Sequence, residues 1–513
     1  MSRINTNVVS LTAQRTLGLN NRSLGSSLER LSTGLRINRG ADDPAGLIAS
    51  ENLRAEKAAI SAAIGNANRA EQVVNIAEGG LQEVAGLLTE LEGLITSTAN
   101  TAGLSDEEKK ANQLQIDSIL QTIDRIANST SFQGTRILNG NFDYNATGVA
   151  GDVSNFKVNG AKLGFEGSLA VDVVVTNSAQ AGGFFLSFGG GNLDLGASTD
   201  RFVFEVAGSV GSRELSFASG ASLASIAAAV NTFTDVTGVK ATVSGTGLRL
   251  DSSDFGSNEF VSVKVTDDGS IAPANAGIYN FAAEDTNVAS AATLQAFSAI
   301  ANGVTDKGQD VEATINGIVA TGDGAKASIN TDFLSVEVDL TTGTAAGGAN
   351  SQTLGALSAF TVTGGGADFQ LDGFVDIAGK VSIGVGNVAS RTLGATKNAS
   401  GTNFTLSDLG AGKSLNVVDG DLGTAQKAVR SAIEGVSGLR GRLGAFQKNT
   451  IGATIRSLGV SLENTTAAES AIRDTDFAAE TASLTRNQIL VSASTNVLAI
   501  ANSQPQNALS LLG

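Results

Sequence analysis

Every seventh residue from Leu53 is apolar: Leu53, Ile60, Ala67, Val74, Leu81, Leu88 and Ile95. An interleaved row, Ala63, Ala70, Ala77, Val84 and Leu91, is apolar as well, and only Glu56 breaks it. Alternating three- and four-residue spacings of this kind predict a narrow seam on a helix about 65 Å long. Such a helix is not stable alone, because one thin apolar stripe does not offset the entropy of ordering the chain. It requires partner helices.

The rest of the chain supplies them. Asn5 to Leu35 reads as a helix with Leu17, Leu24, Leu28, Leu31 and Leu35 on its seam, Asn21 at the missing heptad position, and Gly18, Gly25 and Gly34 weakening it. Arg36 to Gly46 is a turn in which Asp42 or Asp43 can cap the long helix, with Pro44 in its first turn. Ser105 followed by Glu108 is a capping box that opens a third helix with the stripe Ile116, Ile119, Ile123, Ile126. From Asp421 the helical period returns in Leu422, Ala425, Val429, Ala432, Val436, Leu439, Leu443 and Phe446. It then slips by one residue and continues through Ile451, Ile455, Leu458 and Leu462. Two halves of one bundle are therefore separated by some 300 residues of inserted chain.

At Phe132-Gln133-Gly134 the period changes, and to about Leu415 short alternating runs predict strands. Arg201–Thr266 reads as two strands, a helix over Ser222–Thr234 with Leu223, Ile226, Val230 and Phe233 on one face, then three strands. Further strands fall in Val311–Leu340 and Ala359–Asn387. The fold class is α+β and multidomain: a discontinuous helical coiled-coil bundle with a β-rich insert.

The last stretch, Asp474 to Leu512, has two apolar faces. Phe477, Leu484, Val491 and Leu498 form one stripe, which can pack on Leu17–Leu35. Ile489, Ala493, Val497 and Ile500 lie about half a turn away. No further helix remains to cover the second stripe, so the pattern argues for polymerisation.

Composition narrows the chemistry. The 513 residues contain no Cys and no His, which removes disulfides, thiolate nucleophiles, Ser-His-Asp triads and HExxH zinc sites. A formal charge of −16 argues against a nucleic-acid surface. No apolar run approaches a membrane span, and Met1 to Asn7 lacks the apolar core of a cleavable signal peptide. Gly189-Gly190-Gly191 and Gly364-Gly365-Gly366 have no strand–helix context for phosphate and read as turns. Asp42/Asp43 and Asp267/Asp268 read as caps and solvated turns, and Asn128, Asn403 and Asn464 as chance Asn-x-Ser/Thr matches. Catalytic, cofactor and metal residues are expected to be absent.

The two ends resemble bacterial flagellin. The likeness runs through SLERLSTGLRINRGADDPAGLIAS and IDRIANSTSFQGTRILNG, and through SAIRDTDFAAETASLTRNQIL and NVLAIANSQPQNALSLL. Arg213–Val265, with Asp254-Phe255-Gly256, resembles the hook IN module of some flagellins and cap proteins. The resemblance implies a terminal inner-tube domain (1–42 and 472–513), a helical wall domain (43–140 and 418–471) and a variable outer region of two subdomains (141–417), one of hook IN type around 200–266. It implies a non-enzymatic homopolymer of the extracellular filament, exported unfolded without a cleaved signal. Its further partners would be the export machinery and chaperone, the cap protein and the hook–filament junction proteins. A junction protein is the alternative, and an enzyme displayed on a filament is a second rival. Animal toll-like receptors that detect many flagellins read a motif resembling L-Q-R-x-R-E-L. The matching run here, Leu88 to Leu94, puts Glu90 and Glu92 where the motif has Arg, which implies weak recognition.

Overall fold

The computed structural model describes residues 6–100, 103–164, 167–197, 199–271, 273, 275–281, 294–342, 352–397 and 402–510, with side chains to 504. Met1 to Asn5 and the expected helix end at Leu512 lie outside them. Among the described residues the α-helices are α1 (Val8–Thr33), α2 (Pro44–Thr98), α3 (Asp106–Ser129), α4 (Leu223–Thr232), α5 (Thr234–Thr237), α6 (Leu422–Ala445), α7 (Gly452–Arg473) and α8 (Phe477–Ser510). Strands occupy the interval from Ser131 to Phe404. The chain divides into two compact units, Met1–Asn75 with Phe369–Lys380 and Gly441–Gly513, and Ile76–Asp368 with Val381–Arg440.

Helix limits follow local chemistry. Asn7 caps α1 through Ser10 N–H, and Gly34, at φ 75, ends it two residues before the expected Leu35 is passed. Leu35 leaves the helix and forms an antiparallel bridge with Asp474. The Asp43 carboxylate accepts from Gly46 N–H at 2.9 Å, which makes Asp43 the cap of α2 and Pro44 its first residue. Asp42 closes the preceding loop by accepting from Asn38 and Arg39 N–H at 3.1 and 2.9 Å. Ser105 and Glu108 complete the capping box of α3.

In the first unit α2 is antiparallel to α7, with Lys57–Glu469 at 2.6 Å and Arg473–Glu51 at 2.9 Å. Between α6 and α7 the backbone widens into a π-helix over Phe446–Ile451. That turn is the slip in the heptad row. Phe446 and Ile451 are five residues apart and both buried, so one i→i+5 turn keeps Ile451 on the face that Phe446 leaves.

In the second unit the seam is dry. Leu81, Val84, Leu88 and Leu91 of α2 and Val429, Ala432 and Val436 of α6 are buried, as are Ile116, Ile119 and Ile123 of α3. Arg440–Glu78 and Arg430–Glu92, at 2.7 and 2.9 Å, fix the antiparallel register. Residues 385–417, grouped with the outer region in the sequence reading, lie along α3. Asp124 accepts from Ser390 N–H and hydroxyl at 2.7 and 3.0 Å, while Gln113 donates to Leu409 O and accepts from Val417 N–H, both at 2.8 Å.

The period change at Phe132 is a two-residue hairpin turn, with Gln133 at φ 49 and Gly134 at φ 85. The β-rich part holds two cores. One includes Val171, Val173, Ile315, Val336 and Phe360. It involves a five-stranded sheet ordered Ile318–Val319, Glu312–Ile315, Leu169–Asn177, Gly355–Gly365, Tyr144–Thr147 and a four-stranded sheet ordered Thr321–Asp323, Lys326–Asn330, Leu334–Leu340, Val153–Ala161. The second core includes Phe188, Phe202, Phe204, Ile226 and Phe297. The strand–strand–helix–strand–strand–strand order expected over Arg201–Thr266 is present, with the short α5 added after α4, but the strands divide between two sheets. Val239–Ser244 and Gly247–Ser252 join Gly183–Ser187 and Gly277–Tyr279, whereas Arg201–Gly208, Ser212–Ala218 and Phe260–Asp267 lie in the other with Val304–Lys307. Gln180 and Gln309 exchange backbone bonds of 2.8 and 3.0 Å where the chain enters and leaves this module.

Candidate assembly surface

Helices α1 and α8 form an antiparallel hairpin whose inner seam is only half apolar. On α1 it consists of Ser10, Ala13, Leu17, Asn20, Leu24, Ser27 and Leu31. On α8 it consists of Leu484, Asn487, Val491, Ser494, Leu498 and Ala501. The polar members bond across it: Asn7 Nδ2 to Ala501 O at 2.7 Å, Ser10 Oγ to Asn502 Oδ1 at 2.7 Å, Asn20 Nδ2 to Ser494 Oγ at 2.6 Å, and Asn487 Nδ2 to Ser27 Oγ at 3.1 Å. Arg30 and Glu480 approach to 3.7 Å near the crossing. Side-chain amides at such positions fix register, because a slip strands a polar group. The expected row through Leu28 and Asn21 is therefore a correction. Leu28 is 50% exposed, and the row that enters the seam is Ala13, Asn20, Ser27. Phe477, 56% exposed, also stays outside it. A count of apolar residues alone misses this row; small polar residues at heptad spacing are its signal.

The opposite faces are uncovered. Ile489, Val497 and Ile500 on α8, with Ala493 between them, are exposed, as are Val8, Leu11 and Leu19 on α1. Of the other expected packing positions, Ile60, Val74, Leu81, Leu88, Ile95, Val436 and Leu443 are buried, and Leu53 and Leu35 are half-buried. Glu90 is exposed, while Glu92 is held by Arg430 at 2.9 Å. Among the described residues no cluster of acidic side chains could hold a metal ion, and no helix is long and apolar enough to cross a membrane.

Three family models match: the bacterial flagellin N-terminal helical region over residues 4–143, its C-terminal helical region over 415–512, and the flagellin hook IN motif over 201–254. The B-type flagellin of Pseudomonas aeruginosa is 30% identical over 99% of this chain and 99% of its own. The chain belongs to the bacterial flagellin family. Flagellin B of Helicobacter pylori is 28% identical over 99% of both chains. Full-length matches to flagellins disfavour the junction-protein alternative, and this flagellin is a structural subunit that polymerises with itself into the extracellular flagellar filament. Among solved structures, the D2–D3 domains of the flagellar cap protein from Serratia marcescens align at a TM-score of 0.23 and 24% identity, covering 36% of this flagellin and 91% of that chain.

Proposed function

We propose that the outer stripes of the α1–α8 hairpin are the surfaces through which this flagellin polymerises. One observation carries the reading: a hairpin with a polar-laced seam keeps Ile489, Val497 and Ile500 in solvent on one helix and Val8, Leu11 and Leu19 on the other. Burying both stripes against neighbouring copies removes apolar area from water and orders helices that are marginal alone. In this reading residues 1–42 and 472–513 form the inner tube, 43–140 and 418–471 the wall together with the segments 369–380 and 385–417 that pack on α2 and α3, and the rest of 141–417 the outer region. The buried positions of Leu53–Ile95, Val436 and Leu443 hold the wall together, while Leu17, Leu24, Leu31, Leu484, Val491 and Leu498 hold the hairpin. The chain catalyses no reaction and leaves the cell unfolded. It meets the export machinery with its chaperone, the cap protein and the hook–filament junction proteins. Lack of Cys and scarcity of Pro support passage as an unfolded chain.

The test is assembly of purified chain in sulfate, followed by sedimentation and electron microscopy. Excluded salts strengthen apolar burial and screen the −16 charge. Filaments should form, and brief proteolysis of the monomer to about residues 40–470 should abolish them. Filaments formed by the trimmed chain would refute the assignment of the hairpin.

A further inference from the structure

Within the first unit, the loop 371–379 carries an apolar tip on a bonded frame. Leu371 is buried and its N–H donates to Gly379 O at 2.9 Å. Asp376 accepts from Gly379 N–H at 2.7 Å, and Asp372 from Gly373 N–H at 2.6 Å. The frame rests on α2, where Asn66 Nδ2 donates to Gln370 O at 3.3 Å and a Cβ at Gly373 would meet Ala59 Cβ at 3.3 Å. From it project Phe374, 71% exposed, Val375, 92% exposed, and Ile377. Three large apolar side chains on a turn built by its own carboxylates form a protruding contact element left uncovered by the described residues.

The opposite flank of α2 faces α7. Lys57, which pairs with Glu469, lies about 160° around the helix from Ala59 at 3.6 residues per turn. Beside that pairing α7 has a shallow groove of about 520 Å³ lined by Gly459, Leu462, Glu463, Thr466, Ala467 and Ser470. Val460 next to it is 59% exposed, and Arg456 one turn earlier is exposed as well. Tip and groove stand at nearly the same level, since Ala59 and Lys57 are two residues, about 3 Å, apart along α2.

We infer that the 371–379 tip of one subunit docks on the α7 groove of a second copy beside it. A knob on one flank and its socket on the other make a heterologous contact, which does not close on itself and therefore propagates along a row of subunits. Arg456 supplies the cation that the Asp372 and Asp376 carboxylates meet, and Glu463 is left at the groove's rim. The inference rests on the polymer reading above and names a side-to-side contact distinct from the hairpin stripes.

The native chain has no cysteine, so introduced thiols are unambiguous. Subunits carrying Val375→Cys are mixed with subunits carrying Ala467→Cys, polymerised in sulfate and oxidised. A mixed-disulfide dimer that forms in the copolymer and not in the unpolymerised mixture is the expected result. Copolymer without that dimer, or only dimers of two Val375→Cys subunits, overturns the contact. In parallel, Phe374→Ser with Val375→Ser should raise the critical concentration at least tenfold while leaving monomer melting unchanged. An unchanged critical concentration also overturns it. Failure of the wild-type chain to polymerise would instead count against the polymer reading, so the two failures are distinguishable.

Discussion

Val497→Asp separates what the hairpin needs for itself from what it needs of its neighbours. Val497 is 52% exposed and lies on the stripe of α8 that faces away from α1. In the monomer the aspartate stays hydrated, and a surface change of this kind shifts stability by about 0.5 kcal/mol or less. In the filament contact proposed above the same position is covered. The change then forfeits the remaining burial of a valine, about 1 kcal/mol, and desolvates an unpaired carboxylate, which costs several kcal/mol. Even a total of about 3 kcal/mol raises the critical concentration roughly a hundredfold, at a factor of ten per 1.4 kcal/mol. The assay is sedimentation of polymer against total protein in sulfate, with melting of the monomer followed by circular dichroism. Val319→Asp is the control, because Val319 is 80% exposed on a strand of the β-rich part and should polymerise as wild type does. A wild-type critical concentration for Val497→Asp would refute the covered-stripe argument.

Deletion of residues 181–308 with a two-residue turn between Gln180 and Gln309 should leave the remaining chain folded and able to polymerise. The module has its own core, and the backbone bonds of 2.8 and 3.0 Å at its neck already pair those residues. Loss of the remaining β core, the one around Val171, Ile315 and Val336, on calorimetry or proteolysis would refute its independence. The Thr424 hydroxyl and N–H, with Gly423 N–H, hold the Asp421 carboxyl below its ordinary range at the start of α6, against a smaller opposing effect of burial. That cap contributes fully above a pKa near 4 and is lost as pH falls through the lower folded value. Asp421→Asn should therefore flatten the acid limb of monomer melting between roughly pH 5 and 2, and an unaltered limb would count against the cap. Glu90→Arg is the clean test of receptor recognition, since Glu92 is engaged by Arg430. We expect weak signalling by wild-type monomer in a reporter assay and at least a tenfold gain in potency from Glu90→Arg, and potent wild-type signalling unchanged by the substitution would reject the altered-motif reading.

The α2–α6 seam was legible residue by residue because its periodicity is dense and its side chains are buried. A row such as Leu81, Leu88, Ile95 has one helical register that buries it, and all three are at most 2% exposed. Even the one-residue slip after Phe446 carried structural content, since a coil that keeps its face across an inserted residue must widen locally, as the π-turn does. The terminal hairpin was harder to read for the opposite reason. Leu28 continues a three-four spacing through Leu24, Leu31 and Leu35, whereas Asn20 and Ser27 look like surface, so hydropathy alone selects the wrong second row. What decides between the rows is bonding across to Ser494 and Asn487, a long-range fact about residues more than 400 positions away. The β-rich part was legible as strands and not as sheets, because alternation specifies which face of a strand is buried and says nothing of which strand lies beside it. The uncovered stripe of α8 was readable as an excess, one apolar face more than the described helices cover. An excess of that kind is visible in a single sequence when the missing partner is another copy of the same chain, since every surface that must be met is already written in it.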